Sequence, residues 1–282
     1  MGLSLNEILN NVEALPTLSP VTHQVLKLTG DPAVSVNDLS DAVLKDQVLT
    51  AKVLKMANSA YYGYSRKIVN INEAIIVLGF NGIRSLVLAA SVYNIMNREI
   101  DGYFLPTGEL WKHSMTTALF ARTLAQRVDL GLREHAFIAG LIHDIGKIVL
   151  NTFLKEQFKV VLNLVETENI PFMEAEKHVL GYDHASVGAI VAESWNLPPV
   201  LTEAIALHHS PHEATTNPTL TSIIHVADAL SMSIGAGLGG DGMYYPFDGF
   251  ALEQLNLTSD ILEETVAAMT ESIALDEAMG LE

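Results

Sequence analysis

Histidines and aspartates interrupt the most apolar helical stretches of this chain, and that pattern restricts its fold more than any other feature. Apolar residues recur at three- and four-residue spacing along most of the 282 residues, and few segments alternate strictly as a half-buried strand does. The fold class read from this is all-α. His143 and Asp144 stand side by side in the run GLIHDIGK, between apolar residues on both flanks. His113 lies in ELWKHSMTTALFA and Asp228 in IIHVADAL. A buried carboxylate is costly unless it is paired or bound to metal, so the helices that carry these residues must bring them together.

The helical segments are expected at 21–29, 36–45, 48–60, 72–78 and 82–96, then at 109–128, 133–151, 155–168, a short helix after Pro171, 184–195, 199–209 and 219–234. Two amphipathic pieces, 251–255 and 259–274, close the chain. Ser19-Pro20 reads as an N-cap followed by proline at the first helical position. Asp183 is the corresponding cap before His184. The polar, Gly- and Pro-containing stretch 97–107 is the expected boundary. The expected parts are an N-terminal helical subdomain (1–100), a helical core carrying the site (101–235), and a C-terminal part (236–282) that opens with a glycine-rich, aromatic insertion.

Composition narrows the chemistry. There is no cysteine, so disulfides, thiolate nucleophiles, iron–sulfur clusters and cysteine-type zinc sites are excluded. Any metal must use imidazole and carboxylate, which suits iron, manganese, nickel or zinc. Lys+Arg number 16 against 33 Asp+Glu, a formal charge of -17, which disfavours broad nucleic-acid binding. The start of the chain lacks a basic region followed by an apolar run, and the longest apolar stretch, near 86–93, is too short to cross a bilayer. A cytoplasmic protein without membrane association is expected.

Each candidate residue has a plain alternative. The His143-Asp144 pair could be a hydrogen-bonded couple without metal, and a lone His113 on an apolar helix is more often a satisfied core residue. His184 is a common kind of surface histidine at a helix start, and His208-His209 could simply favour a helix C-terminus. Adjacent helical side chains diverge by roughly 100°, so those two rings need not face one ion. Glu109, one turn before His113, is either a further ligand or an acid near a helix N-terminus. His225 competes with Asp228. Lys147, four residues after His143, is either a phosphate-binding point charge or a surface lysine. His23, His135, His178 and His212 read as surface residues. Together, however, the order His113, His143-Asp144, His184, His208-His209, Asp228 has the size of a dinuclear centre.

The runs LPTLSPVTHQVLKL, VLKMANSAYYG, INEAIIVLGFNGIRSLVLAAS and GLIHDIGKIVL resemble the HDOD domain of bacterial signalling proteins, and the His/Asp series resembles the wider HD metal-dependent phosphohydrolases. The likeness runs from about residue 5 to 233. It implies an all-helical fold in which a helical bundle packs against an HD-like core. It also implies a regulatory output role, in a group where many members have lost the metal ligands that this chain keeps. His113, His143, Asp144, His184, His208, His209 and Asp228 match metal positions of the related HD-GYP phosphodiesterases, which hydrolyse cyclic di-GMP. Glu109 matches a third-metal position found in some of them, and Lys147 matches their phosphate-binding lysine. After His208-His209 the chain reads SPHEATTNP, without their Gly-Tyr-Pro.

Two expectations follow. One is a signal-transduction module that engages a signalling protein partner and carries a dinuclear divalent-metal site. The alternative is a metal-dependent phosphohydrolase acting on a phosphate ester, a phosphodiester or nucleotide, with Asp144 and Lys147 as catalytic residues. The oligomeric state is left open.

Overall fold

A computed structural model describes residues 15–59, 66–153, 157–237, 239 and 247–278. Most of the aromatic loop at 61–66 and most of the glycine-rich insertion lie outside the described residues. The described chain is all-α: it holds no strand, and its one isolated β-bridge joins Ile100 and Leu105. It divides into two compact units. One comprises Leu18–Tyr93 with Glu263–Glu282; the other comprises Met1–Thr17 with Asn94–Leu262.

The first unit is built from α1 (Pro20–Leu28), α2 (Val36–Leu44), α3 (Gln47–Ala57) and most of α4 (Ile71–Met96). Their starts follow local capping chemistry. Ser19 Oγ accepts from Thr22 N at 3.2 Å, Ser35 and Asp38 form a reciprocal capping box, and Asp46 accepts from Leu49 N at 2.9 Å. The apolar faces meet in a core that includes Val25, Leu39, Val43, Val53, Ile75 and Leu86. Asn58 closes the loop after α3: its side chain donates to Ile68 O and accepts from Ile68 N, both at 2.8 Å. The expected helices 72–78 and 82–96 are joined into α4 across a kink at Gly79, whose φ of 74° is open to glycine at little cost. By length and composition α4 could cross a membrane, with a mean hydropathy of 1.9 over its most apolar window. Yet 56% of that window is buried within the protein, as in a core helix.

The second unit contains α5 (Glu109–Val128), α6 (Arg133–Ile142), α7 (Gly146–Phe153), α8 (Phe158–Glu168), α9 (Phe172–Leu180), α10 (His184–Ser194), α11 (Pro199–Ala206), α12 (Pro218–Ser233) and α13 (Gly249–Gln254). The last helix, α14 (Ser259–Ala278), begins here and ends in the other unit. α5 packs on α6, α12 on both, and α10 on α7 and α11. Residues 97–107 fold into this unit as a tight reversal. Ile100 and Leu105 exchange backbone hydrogen bonds of 2.9 and 3.3 Å, and the 3-10 turn between them buries Tyr103 completely.

One expected helix, 133–151, is two. The apolar pattern runs on unbroken, but α6 stops at Ile142 and α7 starts at Gly146, so the break falls on His143, Asp144 and Ile145. The break coincides with a close approach of main chains. A Cβ on Gly146 would stand 2.0 Å from His184 O and 2.7 Å from Gly188 N. Two glycines allow the start of α7 to lie directly on the first turns of α10.

Candidate metal centre

The break delivers two polar residues to one place. Across it the backbone tightens to hydrogen bonds three residues apart: Ile145 N to Ile142 O, Lys147 N to Asp144 O, and Ile148 N to Ile145 O, at 3.0–3.2 Å. Lys147 therefore does not share a continuous helix face with His143. It meets Asp144 instead, with Nζ 2.6 Å from Oδ2.

His113 comes from the second turn of α5 and Asp228 from the middle of α12. His184 opens α10, where Asp183 accepts from Ser186 N at 2.7 Å as the cap. The helix expected to reach 209 ends at Ala206, and Leu207 is its cap. His208 and His209 thus stand in a turn before Pro211, free of the angular divergence of helical neighbours, and their ring centroids are 3.9 Å apart.

All seven residues converge. Three overlapping trios each place their ligand atoms within 4.8 Å of one another: His113, His143 and Asp228; His184, His208 and His209; and His143, Asp144 and His208. Asp144 lies between the first two sets. Its Oδ2 is 3.5 Å from His113 Nε2 and 3.4 Å from His143 Nε2, while its Oδ1 is 3.4 Å from His184 Nε2. His113 Nε2 is 2.9 Å from Asp228 Oδ1, and His209 Nε2 is 2.9 Å from His184 Nε2. Glu109 is half-buried in the first turn of α5 and joins none of these trios.

The hydrogen bonds behind the rings decide what the cavity can hold. His113 Nδ1 donates to Ala236 O at 3.1 Å, His143 Nδ1 to Gly140 O at 2.8 Å, and His208 Nδ1 to Ile205 O at 2.7 Å. A carbonyl only accepts, so Nδ1 carries the proton and, in the neutral ring, Nε2 keeps a bare lone pair. His143 Nε2 and His208 Nε2 are buried without a hydrogen-bond partner, and His113 Nε2 and Asp228 Oδ1 have only each other, 2.9 Å apart. An unsatisfied buried polar atom costs about 1–3 kcal/mol, and here such atoms stand among ligand atoms within 4.8 Å of one another. Imidazole and carboxylate donors fixed by outer hydrogen bonds fit divalent metal ions well.

The electrostatics divide the histidines: two favour the neutral ring and two, in the metal-free centre, favour the protonated one. Burial opposes ionisation of Asp144 and Asp228, but the surrounding imidazoles, with Lys147 at Asp144, hold both well below the usual carboxylate range. Burial, then the neighbouring histidines, pushes His208 down to about 3 and His209 well below its ordinary value. At His113 burial is outweighed by Asp228 and Asp144, which raise it. At His184 burial is outweighed by Glu176, which raises it to about 9.

Three further residues complete the surroundings. His225 is engaged through both nitrogens: Nδ1 donates to His208 O at 2.8 Å, and Nε2 accepts from Asp248 N at 2.8 Å. It braces the His208-His209 turn. Glu176 and Tyr103 had no place among the candidates read from the sequence. Glu176 Oε2 accepts from His184 Nδ1 at 2.6 Å and from His184 N at 3.1 Å, and Oε1 accepts from Tyr103 OH. A signal for Glu176 existed: Phe172 and Leu180, four residues to either side, place it on the buried stripe of α9.

Residues 15–211 match the HDOD domain, and the chain belongs to that family. A relative from Treponema pallidum (strain Nichols), described only as an uncharacterized protein, is 26% identical over 223 residues. The match takes in 78% of this chain but 43% of the relative, so the chain spans less than half of that protein's length. Among solved structures, the chain is similar to an HDOD domain protein of unknown function from Geobacter sulfurreducens, with 27% identity and a TM-score of 0.72, over 96% of this chain and 95% of the other. It is also similar to a candidate phosphohydrolase from Shewanella amazonensis SB2B, with 25% identity and a TM-score of 0.73, over 98% of each.

Proposed function

We propose that this HDOD protein is a cytoplasmic signal-transduction module whose histidine–aspartate centre holds two divalent ions as part of its regulatory structure. One ion would be held by His113, His143 and Asp228, the other by His184, His208 and His209, with Asp144 shared. Iron, manganese, nickel and zinc suit these donors. The output is contact with a signalling protein partner, and the net charge of -17 argues against a nucleic-acid one. The observation that carries a regulatory reading over a catalytic one is enclosure. His143 and His208 are 0% exposed, Asp144 and Asp228 1%, and Lys147 2%. A centre so covered suits an ion that stabilises or reports a conformation.

A metal-dependent phosphohydrolase is the second reading. Two observations favour it: His209 is only half-buried, and the Lys147 ammonium stands beside Asp144. When bound, the ions would supply Lewis acidity toward a phosphate oxygen. Lys147 would orient the phosphate of a phosphodiester or nucleotide, and the apolar walls would exclude bulk water. SPHEATTNP after His209 lends no support to cyclic di-GMP as the substrate.

The test is elemental analysis of untagged protein purified without added metal, beside Asp144→Ala, followed by a screen of phosphodiesters and nucleotides. About two ions per chain, lost in the variant and without hydrolysis, is the expected result. Hydrolysis that disappears with Asp144→Ala would install the second reading. No metal, even after anaerobic reconstitution, would overturn both.

A further inference from the structure

The two trios differ in charge. His113, His143 and Asp228 include a carboxylate of their own, whereas His184, His208 and His209 are three imidazoles. Neutral ligands alone hold a divalent ion less firmly than a set with an anion, and a ring backed by a carboxylate becomes a better donor. Glu176 is fully buried and spends one oxygen wholly on His184, taking both the ring Nδ1–H and the backbone N–H. That backbone N–H belongs to the first residue of α10, where the helix end itself favours an anion.

The other oxygen is held by Tyr103, whose ring is wedged beside Phe158 and Phe172 at centroid distances of 4.7 and 5.2 Å. The Ile100–Leu105 reversal supplies that tyrosine, and Gly102 N is anchored to Asn151 Oδ1 at 2.9 Å. Tyr103, Glu176 and His184 thus form one buried chain of hydrogen bonds that ends at a ligand atom.

We propose that Glu176, oriented by Tyr103, is the anion that the His184, His208 and His209 site has to itself beside the shared Asp144, delivered through His184, and that it sets how tightly this site alone holds its ion. The inference rests on the dinuclear reading above. Glu176 touches no ion and no substrate in this scheme; it is a positioning residue.

Glu176→Gln separates charge from shape. The amide oxygen still accepts from both His184 donors, and the amide nitrogen can donate to Tyr103 Oη, but the negative charge is gone. Tyr103→Phe keeps the charge and the ring packing and removes only the hydroxyl that orients the carboxylate. The probe is zinc(II), titrated into chelator-stripped full-length protein against a chromophoric chelator, with elemental analysis after desalting. Wild type is expected to take two equivalents. Glu176→Gln should hold the first unchanged and weaken the second by about 10–100-fold, the usual range for an outer partner of a ligand histidine. Tyr103→Phe should weaken the same equivalent by a few-fold.

Equal loss at both equivalents would reveal a merely structural residue and overturn the inference, as would two unchanged equivalents in Glu176→Gln. If that variant does not fold, the Tyr103→Phe titration decides on the same criteria. Wild type that takes no zinc, nor iron or manganese added in its place, would instead sink the dinuclear reading itself.

Discussion

Asp144 and Lys147 form a close, buried ion pair in the centre, and a double-mutant cycle in metal-free protein measures what it does. Nζ and Oδ2 are 2.6 Å apart, with the side chains 3% and 1% exposed. Removing one partner of a buried pair strands the other charge and typically costs about 3–5 kcal/mol. Asp144→Asn should therefore cost about 3–5 kcal/mol, because it leaves the ammonium buried without its carboxylate. Lys147→Met should cost somewhat less, on the order of 2–3 kcal/mol, because Asp144 keeps His113, His143 and His184 at 3.4–3.5 Å. The double variant strands neither charge and should cost no more than Asp144→Asn alone, a coupling of about 2–3 kcal/mol. The assay is urea unfolding in chelator, followed by tryptophan fluorescence. Both tryptophans, Trp111 and Trp195, lie in the unit that holds the centre, so the signal reports that unit. Losses that simply add, to within about 0.5 kcal/mol, would show that the two groups do not face each other and would refute the reasoning. The same variants separate metal ligation from pairing: Asp144→Asn should lose bound metal, and Lys147→Met should keep it.

Gly146→Ala places a methyl against the main chain of α10, 2.0 Å from His184 O, where no rotamer change gives relief. A loss of about 2–3 kcal/mol is expected, at the upper end for overpacking, together with lower metal content. An alanine variant with wild-type stability and metal content would contradict the close approach. Glu203 accepts backbone N–H bonds from Thr215, Thr216 and Asn217 at 2.8–2.9 Å. Burial opposes its ionisation, but these donors bring its carboxyl down to about 2. A depressed carboxylate contributes stability above its unfolded value of 4.5 and loses it as pH falls toward about 2. Glu203→Gln should therefore be less stable than wild type at pH 7, by about 1–2 kcal/mol for the lost charged acceptor. The gap should close between those two pH values; a gap independent of pH would count against the assignment.

Much of the fold was legible because its signals are local. Ser19-Pro20 and Asp183 mark helix starts through bonds within three residues, and α5 spans the range its periodicity indicates. That the seven candidate residues come together was legible for different reasons: His113, His143, Asp144 and Asp228 are polar groups within apolar stretches and require company, whereas His184, His208 and His209 joined the series only through its order along the chain. The misses are non-local. The break at His143–Ile145 falls where the chain meets α10, more than 35 residues away in sequence, and the apolar pattern of 133–151 carries no mark of it. The early end of α11 likewise lets His208 and His209 face one way, which their adjacency within a helix would forbid. Glu176 was hidden by its own helix, where one acid among Glu174, Glu176, Lys177 and His178 reads as part of a solvated face until Phe172 and Leu180 are seen to flank it.

The contact between Gly146 and the first turn of α10 also gives the centre a gauge. Asp144 and His184 lie beside that contact, so the separation of their main chains is set by peptide groups that touch, and only their side chains are left to adjust. No rotamer change relieves the contact at Gly146 itself, so a shift of one side of it carries the main chain of the other.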